Sequence, residues 1–222
     1  MNVGIQGFVT LTGIVIKAES IGEYDRRVVL LTRERGKISA FAKGARKSGN
    51  KLTAPTNPFS FGQFQLYEGR NTYNMSEAEI TNYFEELRQD FLGAYYGMYF
   101  LELCDYYTRE NNDETQMLKL LYQSLRALAS ERFDNRLVRC IFELKSIMIN
   151  GEFPGISKRD KLMESTAYTI DYIAKTNVEK LFSFDVNLEV LQELIQFSKR
   201  LCKNILEKDF KSIEILETLE NV

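Results

Sequence analysis

The stretch Phe59-Ser-Phe-Gly-Gln-Phe-Gln-Leu-Tyr67 alternates with a period of two residues. Such alternation predicts a β-strand, because successive side chains of a strand point to opposite faces of the sheet. One predicted face carries Phe59, Phe61, Gln63, Gln65 and Tyr67. The strand is therefore expected to lie with one face against a core.

Four further stretches rich in β-branched and aromatic residues have the character of strands: residues 8–16, 27–32, 37–43 and 73–80. Gly36 and residues 68–71 are expected to form turns between them, and residues 45–58 a long loop. Five strands in about eighty residues favour a small closed barrel, since closure removes exposed sheet edges. The order of long and short connections favours an OB-fold over an SH3-like barrel. Residues 1–80 are thus predicted to be an OB-fold domain.

From about Gln89 the hydrophobic period changes to 3.6 residues, which predicts helices. Four apolar stripes mark the long helices, over residues 92–106, 117–128, 137–148 and 190–205. The third helix is expected to end at Asn150-Gly151, and residues 151–166 to be irregular. Two short helices are expected at residues 168–174 and 178–184. The chain is therefore predicted to combine an N-terminal β domain with an all-α domain over residues 81–222.

The composition makes several kinds of catalytic site improbable. The sequence contains no histidine, which removes serine–histidine and cysteine–histidine nucleophiles and every histidine-ligated metal site. The carboxylate pairs Glu77/Glu79 and Glu85/Glu86 could serve a hydrolase, but no sequence pattern predicts a pocket around them. Cys104, Cys140 and Cys202 are far apart and suit buried positions in a reducing compartment. We expect a protein that is not an enzyme and needs no cofactor.

Positive charge is concentrated in one segment of a chain whose net charge is −2. Residues 26–51 contain nine Lys and Arg and a single acid, Glu34. A localised cationic cluster attracts phosphates and releases their counterions. The segment therefore predicts a binding site for nucleic acid.

The candidate DNA-binding residues centre on the basic loop, residues 43–51, where small residues separate the cations. They are Arg33, Arg35, Lys37, Lys43, Arg46, Lys47 and Lys51, with Tyr24 and Phe41 as stacking faces for unpaired bases. No donor set in the segment is suited to base edges, so binding independent of sequence is expected. The alternative is a protein-interaction adaptor whose basic loop grips an acidic peptide tail.

No apolar run approaches the length of about 18 residues that a membrane span requires. Residues 1–8 have neither the basic nor the apolar region of a signal peptide. We expect a cytoplasmic protein without membrane contact, associated with the nucleoid through DNA.

Three quoted stretches give the chain its family resemblance: Gly22-Glu-Tyr-Asp-Arg26, Leu30-Leu-Thr-Arg-Glu-Arg-Gly-Lys37 and Phe41-Ala-Lys-Gly-Ala-Arg-Lys-Ser48. At this spacing they resemble the signature of the bacterial RecO family. Asp209-Phe-Lys-Ser-Ile-Glu214 is similar to the closing motif of the same family. The middle of the chain matches mainly by its helical pattern.

The resemblance implies an N-terminal OB-fold, a helical C-terminal domain and a role as a mediator of DNA repair and homologous recombination. It implies binding to single- and double-stranded DNA and annealing of complementary strands. The implied partners are RecR, the RecA recombinase, and single-strand-binding protein through its acidic C-terminal tail. No motif in the middle of the chain assigns residues to these protein partners.

The chain departs from many relatives of that family in one segment. Those relatives carry a four-cysteine zinc site between the third long helix and the last, where this chain has residues 151–166 without any cysteine. A structural zinc site needs thiolate or imidazole ligands, and this segment has neither. We therefore predict that this segment holds no structural zinc.

Overall fold

The computed structural model describes residues 7–69, 72–157 and 159–219. The chain divides into two compact units, Met1–Phe84 with Cys104–Leu118, and Glu85–Leu103 with Lys119–Val222. The domain border predicted after residue 80 stays a prediction. Arg70 and Asn71 of the predicted turn, Lys158 of the predicted irregular segment, and residues 1–6 of the region without a signal peptide lie outside the described residues.

Five strands of the first unit form a closed barrel in the order β1-β2-β3-β5-β4. Their bounds are β1 Phe8–Ile21, β2 Asp25–Thr32, β3 Gly36–Ala42, β4 Phe61–Glu68 and β5 Tyr73–Asn82. Every pairing is antiparallel except that of β3 with β5, which closes the barrel in parallel. The prediction of a five-stranded OB-type barrel is confirmed.

Strand β1 is five residues longer than its sequence pattern predicts. Its first half pairs with β4 and its second half with β2, with a register shift between Val15 and Lys17. Gly13 of β1 lies opposite Gly62 of β4. A Cβ atom would lie 2.3 Å from the Leu31 carbonyl oxygen at Gly13 and 2.1 Å from the Glu79 carbonyl oxygen at Gly62. Strand β1 can approach β2, and β4 can approach β5, this closely only because these two positions are glycine.

The barrel interior is filled by alternate side chains of its strands. These side chains include Leu11, Val15, Leu30, Ile38, Phe64 and Leu66, all buried. Within β4 the alternation is as predicted, with Gln63 and Gln65 exposed between buried positions. The predicted start at Phe59 is wrong, because Phe59 has a left-handed φ of 73° and is buried before the strand begins.

Seven α-helices follow among the described residues. They are α1 Glu85–Gln89, α2 Phe91–Tyr107, α3 Thr115–Leu128, α4 Asn135–Ile149, α5 Glu164–Lys175, α6 Leu188–Ile205 and α7 Lys211–Leu219. The four long predicted helices correspond to α2, α3, α4 and α6. The predicted helix at residues 178–184 is reduced to a 3-10 turn at Val178–Lys180.

The end of α4 agrees with its sequence signal. Asn150 caps the helix, its backbone N–H donating to carbonyls of the last turn. Gly151 then takes a φ of 74°, a conformation that glycine adopts without strain. Lys145 of α4 donates to the carbonyls of Ile173, Ala174 and Thr176 at 2.8–2.9 Å, which satisfies the C-terminal end of α5.

The core of the helical unit contains one buried carboxylate. Glu143 accepts hydrogen bonds from Tyr99 Oη at 2.9 Å and Ser198 Oγ at 2.5 Å, and pairs with Arg139 Nε at 2.9 Å. Glu143 is 1% exposed, so all its partners are protein groups that hold it in the core.

None of the helices in the described part of the chain is long and apolar enough to cross a membrane.

Candidate nucleic-acid interface

The basic loop is fixed to the barrel by two residues at the start of β2. Asp25 Oδ1 accepts a hydrogen bond of 2.7 Å from the backbone N–H of Gly44. Arg26 Nη1 donates to the Thr53 carbonyl, Thr56 Oγ1 and Asn57 Oδ1 at 2.8–3.1 Å. These bonds hold both ends of the long connection between β3 and β4, so the loop has a defined conformation although it contains no strand or helix.

Glycine is required at the first turn of the loop. Gly44 has a φ of 70°, and a Cβ atom there would lie 2.9 Å from Asn50 Nδ2. The Gly44 N–H points at Asp25 in this conformation. The left-handed backbone of Gly44 and its hydrogen bond to Asp25 therefore both fix the turn between Lys43 and Arg46.

Lys43, Arg46 and Lys47 are exposed on this loop. Arg46 Nη1 donates to the carbonyls of Gly22 and Glu23, both at 3.1 Å, which leaves its other guanidinium nitrogens uncommitted by these bonds. Lys47 Nζ lies 5.0 Å from the centroid of the Tyr24 ring, a cation–π contact. Tyr24 is itself 49% exposed. The structure thus brings Arg46, Lys47 and Tyr24 together, with Lys43 on the same loop.

Two further candidates lie at the same end of the β2–β3 pair. Lys51 is exposed but forms an ion pair with Glu77, whose pKa the Lys51 ammonium lowers. Phe41 is half-buried on β3, opposite Arg27 in the register. Lys51 can bind a phosphate only in competition with Glu77. Because an exposed ion pair of this kind is weak, a phosphate can displace the carboxylate.

The remaining three candidates form a separate hairpin-end cluster, Arg33, Arg35 and Lys37. Arg35 Nη1 lies 3.2 Å from Glu68 Oε1 and 3.1 Å from Tyr73 Oη, and these groups raise the pKa of the guanidinium. Lys37 Nζ donates to Asp105 Oδ1 at 2.9 Å and to the Asp105 carbonyl at 2.6 Å. Arg33 is exposed and pairs with Glu34 at 3.3 Å. Each cation of this cluster already has a carboxylate partner.

The two groups lie at opposite ends of the β2–β3 hairpin. Arg33 and Arg35 flank its turn, whereas the basic loop follows the far end of β3. Lys37 and Lys43 are separated by six residues of extended chain, or about 20 Å at roughly 3.3 Å per residue. The structure therefore does not bring the nine predicted residues into one cluster.

Sequence reasoning did not assign Asp25 and Arg26 their positions as anchors of the loop. Asp25 is an acid beside a basic segment, and Arg26 was counted as one more cation. Their adjacency at a strand start was visible in the sequence, but their partners lie 19 to 31 residues away. Only the tertiary structure identifies such contacts.

A second cationic feature, the cationic pocket, lies within the helical unit and was also missed. It has a volume of about 320 Å³ and is lined by Arg139, Lys199, Cys202, Lys203, Leu206, Lys208, Asp209, Phe210 and Ile213. Besides Arg139, which is paired with Glu143, three lysines and one carboxylate line it, and Lys208 Nζ lies 5.6 Å from the centroid of the Phe210 ring. The pocket combines positive charge with an apolar wall, a combination suited to an acidic peptide that carries apolar side chains. The i,i+4 spacing of Lys199 and Lys203 indicates in the sequence that both lie on one face of a helix. The apolar wall of the pocket is completed by Ile213 of α7, whose position only the tertiary structure shows.

The segment for which the sequence predicts no structural zinc is held by polar contacts. Asp160 accepts from the Ser157 backbone N–H at 2.7 Å and from Arg200 Nη2 at 2.8 Å, and Glu193 accepts from the Met163 N–H at 2.9 Å. Across the described residues, no group of three or more cysteine, aspartate or glutamate side chains is placed to hold a metal ion. The absence of zinc from this segment stays a prediction.

Comparison with known proteins finds two family models that together match well over half of the chain. The model of the recombination protein O N-terminal domain matches residues 6–84, and that of the C-terminal domain matches residues 88–159. The chain is 27% identical to the DNA repair protein RecO of Acetivibrio thermocellus, over 97% of this chain and 98% of the relative. It is 26% identical to that of Clostridium novyi over 99% and 98% of the two chains. A third relative, from Listeria welshimeri, is 32% identical over 74% of this chain and 64% of its own length. The closed OB-type barrel and the helical region that follows it in the chain agree with these matches. The chain belongs to the RecO family of DNA repair proteins.

Proposed function

We propose that this protein binds single- and double-stranded DNA through the basic loop, anneals complementary strands, and does so without bond-making chemistry. The observation that carries the proposal is the exposed set Lys43, Arg46 and Lys47 on a loop that Asp25 and Arg26 hold in place. A pre-ordered cationic loop binds phosphates at a lower entropic cost than a flexible one. Tyr24, half exposed beside Lys47, offers a stacking face to an unpaired base.

Annealing follows from the same electrostatics. Two strands repel each other through their phosphates, and a cationic surface that holds both reduces this repulsion. Contacts to phosphates carry no sequence information, so any complementary pair can be served. We further propose that the protein acts at the nucleoid with RecR to help load RecA onto coated single strands, as its family membership suggests.

Charge reversal at the basic loop tests the proposal. Lys43→Glu, Arg46→Glu and Lys47→Glu together should weaken oligonucleotide binding and flatten the plot of log affinity against log salt. Each lost phosphate contact should reduce the slope by roughly 0.7–0.9. The matched control reverses three exposed cations of the helical unit, Arg126, Arg132 and Lys175, and removes the same charge. If both triple variants lose affinity equally, net charge and not the loop is responsible.

We also propose that the acidic C-terminal tail of single-strand-binding protein docks in the cationic pocket. Its charge and its apolar wall of Leu206, Phe210 and Ile213 support this choice over the basic loop, which has no such wall among its described contacts. Lys203→Glu with Lys208→Glu should abolish binding of a labelled tail peptide and leave naked oligonucleotide binding unchanged. If the basic-loop triple variant loses the peptide instead, the protein is an adaptor whose basic loop grips the acidic tail.

A further inference from the structure

The helical unit contains a large groove, the aromatic groove, that the proposed DNA and tail sites do not use. It lies between α5, residues 183–187 and the first turn of α6, and has a volume of about 930 Å³. Its apolar wall consists of Tyr168, Tyr172, Phe184, Val186 and Val190. This volume is at the upper end of the range for ligand sites and accommodates several side chains of a bound segment.

Two of the aromatic rings are held in fixed positions. Tyr172 and Phe184 pack edge to face, with centroids 5.1 Å apart and an interplanar angle of 77°. Tyr172 Oη lies within hydrogen-bond distance, 3.2 Å, of Ser183 Oγ. Tyr168, one helical turn before Tyr172, is 69% exposed. A half-buried pair and an exposed ring on the same wall leave aromatic surface open to a ligand.

The charge of the groove selects its ligand. Glu164 and Asp185 line it, and none of its eleven lining residues is lysine or arginine. A phosphate would be repelled there, which separates the groove from both cationic features of the molecule. Aromatic faces beside carboxylates favour a cation, since the ring quadrupole and the negative charge attract the same group.

The local roles of the two carboxylates do not fill the groove. Glu164 lies in the first turn of α5, where a negative charge also offsets the helix dipole. Asp185 Oδ1 accepts from the backbone N–H of Val186 at 2.8 Å, a bond that uses one of its two oxygens. Next to this rim, Leu188 at the start of α6 is 60% exposed and extends the apolar surface.

We propose that the aromatic groove binds a segment of a partner protein that carries an arginine next to an apolar side chain. The guanidinium stacks on the tyrosine rings and pairs with Asp185 and Glu164, and the apolar neighbour packs on Val186 and Leu188. Arginine suits the groove better than lysine because its planar, weakly hydrated cation both stacks and forms paired hydrogen bonds with carboxylates. This interaction is separate from DNA binding and from the acidic tail.

Titration of the full chain with three fluorescent peptides tests the proposal. The first alternates arginine and leucine, the second replaces arginine with citrulline, which keeps the shape and removes the charge, and the third replaces arginine with glutamate. The variants are Tyr168→Ala and Asp185→Asn, both at exposed rim positions. Their matched controls, Phe91→Ala and Glu131→Gln, change an exposed ring and an exposed acid elsewhere in the same unit.

We expect the arginine peptide to bind about tenfold more tightly than the citrulline peptide, and each groove substitution to weaken it by about fivefold. The two controls should leave its affinity unchanged, and the glutamate peptide should not bind. Equal binding of the arginine and citrulline peptides, equal binding to the groove variants and wild type, or no arginine-peptide binding up to about 1 mM each overturns the proposal. Concentration-dependent dimers that Tyr168→Ala abolishes would also overturn it, by making a second copy the occupant.

Discussion

The carboxylate of Asp25 accepts a 2.7 Å hydrogen bond from the backbone N–H of Gly44, between two cations of the basic loop. An acid at this position lowers the positive charge of the surface that is proposed to meet DNA. It also fixes the turn from which Lys43, Arg46 and Lys47 project. The two effects act in opposite directions on DNA affinity, so the position discriminates between charge alone and charge in a fixed geometry.

Replacement of Asp25 separates these effects. We expect Asp25→Ala to lower the free energy of unfolding by about 1.5–3 kcal/mol, the range for a hydrogen bond to a charged group. DNA affinity should fall as well, although the substitution makes the surface more positive, because the loop loses its anchor. Asp25→Asn, whose amide oxygen can still accept from Gly44, is the control and should retain most of both properties. Fluorescence anisotropy with a labelled oligonucleotide and urea denaturation measure the two effects, and a rise in affinity for Asp25→Ala would mean that geometry does not matter.

The two ends of the β2–β3 hairpin should respond differently to neutralisation. Lys43→Gln with Lys47→Gln should flatten the salt slope by roughly 1.4–1.8. It should lower the free energy of unfolding by at most about 1 kcal/mol, since both side chains are exposed and only the contact of Lys47 with Tyr24 is lost. Arg35→Gln with Lys37→Gln should leave the slope nearly unchanged, because Glu68 and Asp105 already neutralise these cations.

The two double variants should also differ in stability, which provides a control for the binding measurements. Arg35→Gln with Lys37→Gln should lower the free energy of unfolding by about 1–2 kcal/mol, since both contacts are partly buried. Salt-dependent binding and denaturation of the two double variants can be measured side by side. An equal loss of salt slope at both ends would restore the hairpin-end cluster to the DNA site.

The barrel was predictable because its signals are local. Alternation in residues 61–67 and β-branched runs elsewhere fix the faces of the strands, and glycine permits the approach of β1 to β2 at Gly13 and of β4 to β5 at Gly62. The length of β1 was not predictable, because its second half is polar and becomes a strand only by pairing with β2. The helix α7 was missed for a similar reason, since it has no long apolar stripe and its Leu216 is buried only by tertiary packing.

The candidate site was predictable only as a list of cations. Lys37 and Lys43 have the same charge in the sequence, and their different environments depend on Asp105, which is 68 residues from Lys37. Charge counting also includes Arg26 among the cations of the segment, whereas its guanidinium donates to Thr53, Thr56 and Asn57 of the loop. Partners this distant in sequence are defined by the fold, so composition locates the segment but does not select the residues that are available to DNA.

The buried carboxylate of the helical unit should dominate its stability. Glu143→Ala removes the partner of Arg139, which is itself largely buried, and leaves the hydroxyls of Tyr99 and Ser198 without an acceptor. We expect a loss of about 3–5 kcal/mol in the free energy of unfolding, the cost of an uncompensated buried charge. Arg139→Met with Glu143→Leu removes both charges and should recover much of that loss. Urea denaturation of both variants is the measurement, and a loss below about 1 kcal/mol for Glu143→Ala would show that water replaces the missing partner.

Two buried thiols should make the protein less stable in alkaline solution. Burial raises the pKa of Cys104 and of Cys202 above the ordinary value of 9.0, and the carboxylates nearby, Glu114 for Cys104 and Glu143 for Cys202, raise it further. Both thiols therefore keep their protons in the folded state at a pH where the unfolded chain loses them. The unfolded chain then binds fewer protons, so the free energy of unfolding is fully retained below pH 9 and falls as pH rises above it.

The expected loss at pH 10 relative to pH 7 is about 1.4 kcal/mol for each thiol. Cys104→Ala should remove one of these two contributions to the loss. The double variant, Cys104→Ala with Cys202→Ala, should remove both, whatever each substitution costs in packing at pH 7. Denaturation under reducing conditions at several pH values measures the slope. A double variant whose stability still falls as steeply as that of the wild type between pH 8 and 10 would assign the alkaline loss to other groups, because the ionisation of Cys104 and Cys202 could then make no contribution to it.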